Sequence, residues 1–261
     1  MSFTGKSPAE TYKDILQIDN TNNGVDSTAR AIKTGNGTSS SISLSDRHLK
    51  IKSNTNNTTA LDVLNASDAS KFSVDTTNNQ VKALGHHVNT QYAYFGIGAD
   101  MQQTLVADTH YGIPFFGMAQ KVEGWIADFG TGTDPDTSFT TANTLSQKGS
   151  QLAGLLWYVP DNISIDAVHS IEGADQATGD TTRMHLYSYT FNSGSTSALA
   201  DGTLLAHNSD VTNAGSEQVY LSTWTVDSAN VAGGKVICAF FRNDSVNSDY
   251  TTNITVKYHL R

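Results

Sequence analysis

The chain has 261 residues, of which 38% are hydrophobic and only 16% charged, well under the usual quarter for charge. Ser, Thr and Asn fill roughly three positions in ten, a balance that favours strands and turns over helices. A net charge of −9 argues against nucleic acid or an anionic membrane as a partner, and the lone Cys238 excludes an intramolecular disulfide framework and a cysteine-based zinc site. With no apolar run long enough to span a bilayer and no signal-peptide core in the first twenty residues, the expectation is a soluble, acidic, mainly β protein made in a reducing compartment.

The chain opens on a helix signal. Ser7-Pro8-Ala9-Glu10 fits a capping box with proline at the first helical position. Tyr12, Ile15 and Leu16 follow at i, i+3 and i+4 on one face, and Asn20 to Gly24 supplies turn residues that end it. A helix of two to three turns is marginal alone in water. Its apolar face therefore calls for a partner surface, in this chain or in another.

From Ser40 to Leu84 the pattern changes to short alternating strands. Ile42 and Leu44, Leu49 and Ile51, Leu61 and Val63, Phe72 and Val74, and Val81 and Ala83 each form an apolar-x-apolar pair. Turn-rich stretches at 54–57, 65–68 and 76–79 separate the later pairs, one strand plus one turn every ten residues or so. Aromatic residues are nearly absent here: Phe72 alone lies between Tyr12 and Tyr92, and twenty of the chain's 23 Phe, Tyr and Trp stand at Tyr92 or later. Aromatics carry most of the buried area in a small core. Two aliphatic side chains per ten residues do not offset the entropy of ordering those residues, and a single copy leaves open sheet edges. Three copies wound about one axis would bury the stripes and pair the edges. The expected assembly is an intertwined homotrimeric shaft over residues 28–90, with Leu49, Ile51, Leu61, Val63, Phe72, Val74 and Val81 as its core. A monomeric ribbon packed on the C-terminal domain is the alternative.

Residues 91–104 read as a connector, and 105–261 as one all-β domain. Asn253–Arg261, Arg183–Phe191, Gln218–Val226 and Lys235–Phe241 alternate as strands, with Gly, Asn, Asp or Ser clusters between them. Leu155–Val159 is a continuous apolar run, as expected of a strand covered on both faces. Roughly eight strands in this length fit a β-sandwich, jelly-roll-like. The fold class is thus all-β, with a short N-terminal helix, an extended trimeric shaft and a C-terminal sandwich.

Motifs for chemistry are lacking. Thr4-Gly5-Lys6-Ser7 resembles the end of a phosphate loop, but the loop's first glycine has no position in this sequence. The eight histidines show no metal-ligand spacing, and the adjacent His86 and His87 point to opposite faces of an extended segment. Residues 130–136 offer oxygen ligands without the spacing or glutamate of a calcium loop. No G-x-S-x-G elbow occurs, nothing in the sequence distinguishes paired carboxylates such as Asp161 and Asp166 from surface acids, and Cys238 sits among apolar neighbours as a small hydrophobe. The expectation is a protein with no catalytic residue, no cofactor and no metal.

The stretch Thr11–Asp26 (TYKDILQIDNTNNGVD), with Gly35-Asn36-Gly37-Thr38 and Ser41–Ser45 (SISLS), resembles the N-terminal segment of tailed-phage fibre and virion structural proteins. Ile15 and Ile42 stand where that pattern carries leucine. Leu61–Leu84 is similar to the β-rich shaft repeats of phage fibres, and Leu155–Arg261 to C-terminal sandwich domains of marine-phage structural proteins. The resemblance implies a virion location after synthesis in the host cytoplasm, and a homotrimer whose segment 1–27, through Tyr12, Ile15 and Leu16, docks on other virion proteins. Two placements follow. One is a capsid decoration or head fibre bound to the major capsid protein, the other a short tail fibre whose sandwich binds a host-surface glycan or protein. A chain this short, with so brief a shaft, favours the capsid. A polysaccharide depolymerase is the enzymatic alternative; low charge and the lack of a large parallel β-helix repeat argue against it.

Overall fold

Hairpins account for the strands described in the N-terminal third. The computed structural model describes residues 15–18, 20, 23–97, 105–115, 128–131, 152–175, 177–194, 199–247 and 249–261, with the backbone alone for 128–131. The chain divides into two units, Met1–Val88 and Asn89–Arg261, and every named element is a strand.

In the first unit, β1 (Leu16–Ile18), β2 (Arg30–Thr34), β3 (Ser39–Leu44) and β4 (Leu49–Ile51) form one antiparallel four-stranded sheet in sequence order. A second such sheet contains β5 (Leu61–Leu64), β6 (Ser70–Asp75), β7 (Gln80–Ala83) and β8 (His86–His87). The turns are made by side chains that replace backbone partners. Asn65 Oδ1 accepts from the amides of Ser67 and Ala69 at 3.1 and 2.8 Å, and Asp75 Oδ1 accepts from Thr77 and Asn78. Asp68 and Asn79 take up the left-handed backbone (φ 58° and 55°) that lets each hairpin close.

The expected helix does not reach Leu16. Its capping box and Tyr12 lie outside the described residues, but Leu16–Ile18 pair as a strand with Ile32–Thr34. The turn between them is fixed by Arg30, which donates to Asn20 Oδ1 (2.7 Å) and Asp26 Oδ2 (2.9 Å), and by Asn20 Nδ2 donating to Gly24 O (2.7 Å). A ladder with a partner strand outcompetes a helix of two turns that has none.

The second unit is a pair of antiparallel sheets. One has the order β11 (Asp128–Thr131), β10 (Thr109–Ile113), β20 (Lys235–Asn243), β14 (Thr181–Phe191), β15 (Leu199–His207) and β18 (Thr225–Val226). To it β12 (Trp157–Tyr158) adds on β20 and β16 (Val211–Thr212) on β14. The other has the order β17 (Glu217–Thr223), β13 (Ile163–Asp175), β21 (Tyr250–Leu260) and β9 (Thr90–Ile97), with β19 (Asn230–Val231) on β13. Their facing sides share one core: Phe95, Val168, Ile254 and Val256 from the smaller sheet meet Ile113, Met184, Leu186, Ile237 and Phe241 from the larger, all fully buried.

Two sequence expectations need correction here. Residues 91–97 are not connector: β9 pairs along eight residues with the last strand of the chain, so the sandwich begins at Asn89. His86 and His87 form β8, within the stretch expected to be shaft. The run Leu155–Val159 contains only the two-residue β12, with Tyr158 60% exposed. Strands β20 and β14 are covered on both faces. Ile237, Ala239 and Phe241 enter the shared core, while Val236, Cys238 and Phe240 join Tyr187, Tyr189, Leu199, Leu152 and Leu155 in a second cluster on the other side. Double coverage is what removes polar residues from a strand.

Candidate functional site

The residues expected to form a shaft core are gathered into cross-strand rows. Leu61, Val74 and Val81 stand opposite one another, as do Val63, Phe72 and Ala83; in the first sheet Ile42 faces Ile51 and Leu44 faces Leu49. Within one chain these rows stay open. Leu49, Ile51 and Val63 are 60%, 41% and 50% exposed, and Leu61, Phe72, Val74 and Val81 are only half-buried. Among the described residues no apolar side chain before Ala93 is buried. Of the expected docking residues, Tyr12 lies outside the described region, while Ile15 and Leu16 are exposed.

The sandwich offers two surfaces that sequence reasoning missed. A cleft of about 570 Å³ opens where β9 and β12 close one edge of the two sheets, lined by Tyr92, Phe115, Leu156, Trp157, Tyr158 and Tyr258. Its wall is ordered by ring packing: Phe115 and Trp157 stack nearly parallel (5.8 Å, 8°), and Tyr258 leans on Trp157 at 4.9 Å. Tyr258 donates to Gln91 Oε1 at 2.8 Å, holding the polar tip at the rim. Tyr92 and Tyr158 project into solvent. Flat, amphipathic rings at a rim are the surfaces on which sugars and aliphatic side chains stack. The second surface is the outward face of β17, β13, β21 and β9, which carries Val219, Leu221, Ile171, Tyr92 and Tyr94, each about half exposed or more.

The buried ionisable groups serve the fold. Glu172 on β13 points into the sandwich, where Thr182 Oγ1 donates to its Oε1 at 2.7 Å; burial pushes its carboxyl up to about 7. His185 on β14 lies against His110, rings 5.1 Å apart, and burial drives its imidazole down to about 2. Burial raises the Cys238 thiol as well, which keeps it protonated and inert. Asp166 is exposed on β13 and pairs at 2.9 Å with the buried His259. No protein-family model matches the chain, and no curated protein matches it.

Proposed function

We propose that this chain is a non-enzymatic structural protein of a tailed-phage virion. In this reading it assembles as a homotrimer and decorates the capsid as a cement or head-fibre protein docked through its N-terminal segment. The observation that carries the assembly is the open state of the N-terminal unit. Eight hairpin strands are laid down with apolar rows in register, and not one apolar side chain among its described residues is buried. Rows of this kind require a second layer to hold them out of water. Sister chains supply that layer with the right length and pattern by construction. The virion setting rests on the resemblance of residues 11–45 and 61–84 to phage fibre segments, and jelly-roll topology for the sandwich belongs to the same proposal.

Native mass measurement of the purified chain tests the assembly. Three times the 28.0 kDa chain is expected, and a single-chain mass at micromolar concentration overturns it. Co-purification with DNA-filled heads that lack tails tests the placement.

The aromatic cleft supports the second reading, a short tail fibre that binds a host-surface glycan. Adsorption of the purified protein to host cells, abolished by Tyr92→Ala together with Tyr158→Ala, would favour this placement over decoration.

A further inference from the structure

We propose that the interior of the sandwich ends in a calcium site, in which Glu172 Oε2, Asn213 Oδ1 and Asn243 Oδ1 hold the ion from both sheets and from the loop after β16. The inference concerns the sandwich alone and depends neither on the trimer nor on the virion setting.

Strand alternation brings these residues together. On β20 the side chains of Ile237, Ala239 and Phe241 enter the shared core, so Asn243, next in that period of two, points inward as well. Thr182 on β14 stands directly opposite Asn243, and its hydroxyl donates to Glu172 Oε1 across the interior at 2.7 Å. β16 pairs Val211 with Thr182 and leads to Asn213, whose backbone amide donates to Asp180 O at 3.0 Å. Tyr250 on β21 completes the group. Its hydroxyl donates to Asp180 Oδ2 at 3.2 Å and lies 3.5 Å from Asn213 Nδ2. Burial, then Asp180, Glu172 and Asp244, hold its phenol above the ordinary range, so three carboxylates act on one point.

The hydrogen-bond accounting leaves oxygen over. Glu172, Asn213 and Asn243 are each 1% exposed, and Oε2 of the first and Oδ1 of the other two have no hydrogen-bond partner. Carbonyl partners fix the amide orientations. Asn243 Nδ2 donates to Asn247 O and Ser245 Oγ, both at 3.0 Å, and Asn213 Nδ2 donates to Asp180 O at 3.4 Å. Turning either amide over would set two carbonyl oxygens against each other. Buried polar atoms are nearly always paired. A proton on Glu172 supplies one donor, enough for one of the two amide oxygens. A cation satisfies all three oxygens at once.

The donor set selects the ion. One carboxylate and two amide carbonyls are oxygen throughout, which suits a hard cation rather than zinc or copper. Calcium takes about six to eight oxygens in flexible geometry, waters among them, whereas magnesium demands a near-ideal octahedron. Ligands drawn from two sheets and a loop meet the first requirement more readily than the second. The loops that close this end carry Asp180, half-buried, and Asp244, exposed, so the approach from solvent is acidic. In the ion-free chain burial keeps Glu172 protonated up to about pH 7, and ion and proton compete for the same oxygen.

The test uses the full-length chain, stripped with EDTA and melted at about pH 8 in millimolar CaCl2, in millimolar MgCl2 and without either. Calcium is expected to raise Tm by about 5 °C or more, and magnesium by less than half as much. Glu172→Gln is close to isosteric and is expected to lose the calcium response. Asn243→Ser, which shortens one ligand, is expected to weaken the calcium midpoint at least about tenfold, and it decides the matter even if Glu172→Gln does not fold. The double variant Asp175→Asn with Glu217→Gln removes the acid pair facing across β13 and β17 and is expected to respond as the parent chain does. No calcium shift in the parent chain overturns the proposal and leaves the three oxygens to buried water. A full shift in Glu172→Gln, an unchanged midpoint in Asn243→Ser, or a response lost with the Asp175 and Glu217 pair overturns it as well, because the ion then binds elsewhere.

Discussion

Glu172 and Thr182 face each other across the interior of the sandwich, one from each sheet, joined by a single 2.7 Å hydrogen bond from the Thr182 hydroxyl. The second carboxylate oxygen, Oε2, is buried without a partner. Tyr250 on the neighbouring strand β21 feels the charge of Glu172, and its own hydroxyl donates to Asp180. An ionised carboxylate is poorly housed there, which is why burial raises the group to about 7 from an ordinary 4.5.

The folded state therefore holds this proton at pH values where the unfolded chain releases it. Stability contributed by the protonated form is complete below about pH 4.5 and is lost as pH rises to about 7, a fall of roughly 3 kcal/mol at most. Glu172→Gln keeps the neutral form at all pH values, and its urea midpoint is expected to lose this decline. An unchanged slope between pH 4.5 and 7 in the variant would assign the effect elsewhere.

His185 runs the other way. Burial, then the neighbouring His110, Arg183, His207 and Arg242, depress its imidazole to about 2 from 6.5. The unfolded chain binds the proton first, so stability is full above about pH 6.5 and drains away as pH falls toward 2. Both ring nitrogens lack hydrogen-bond partners, so His185→Phe removes two orphaned polar atoms at similar volume. Acid unfolding followed by tryptophan fluorescence should shift to lower pH in that variant. A shift to higher pH sinks the assignment.

Leu49→Asp and Val63→Asp separate a shaft from a free ribbon. In a lone chain both positions are half-exposed or more, and such substitutions cost within about 0.5 kcal/mol. In a trimer they place carboxylates against one another in a closed core. The double variant is expected to fall from three chains to one by native mass, while the thermal transition of the sandwich holds. Retention of the full trimer would remove these rows from the interface.

Gly233 packs where no side chain fits. A Cβ there would stand 2.8 Å from the Pro160 carbonyl oxygen and 3.2 Å from Asp161 backbone atoms, neither of which can rotate away. Gly233→Ala is expected to cost about 1–3 kcal/mol and to lower Tm by several degrees. Gly215→Ala meets only the flexible Gln218 side chain at 3.4 Å and serves as the tolerated control. Equal melting temperatures for the two variants would contradict the backbone clash.

The strands of the N-terminal unit were legible because each one is a local event. Two alternating aliphatics followed by an Asn- or Asp-rich turn specify a hairpin without help from distant chain, and β3 to β7 appear at those positions. The aromatic boundary at Tyr92 also holds, since among the described residues every buried apolar side chain lies at Ala93 or later. Leu16 was misread because the i, i+3, i+4 spacing of Tyr12, Ile15 and Leu16 says nothing of a partner strand fourteen or more residues away. Residues 91–97 were misread for the same cause, as their partner β21 lies about 160 residues on.

Composition and alternation by themselves determined an all-β chain with a thin, aromatic-poor opening and an aromatic-rich sandwich after it, because those properties follow from side-chain volume and a period of two. They could not say which side of a strand faces in. A glutamate in a strand reads as solvent-facing, yet Glu172 is buried; Val219 and Leu221 read as core, yet both stand in water. Only the tertiary structure decided these, because the choice between two faces of a strand is made by the strands it pairs with and by which hydrogen bonds its other side has already formed.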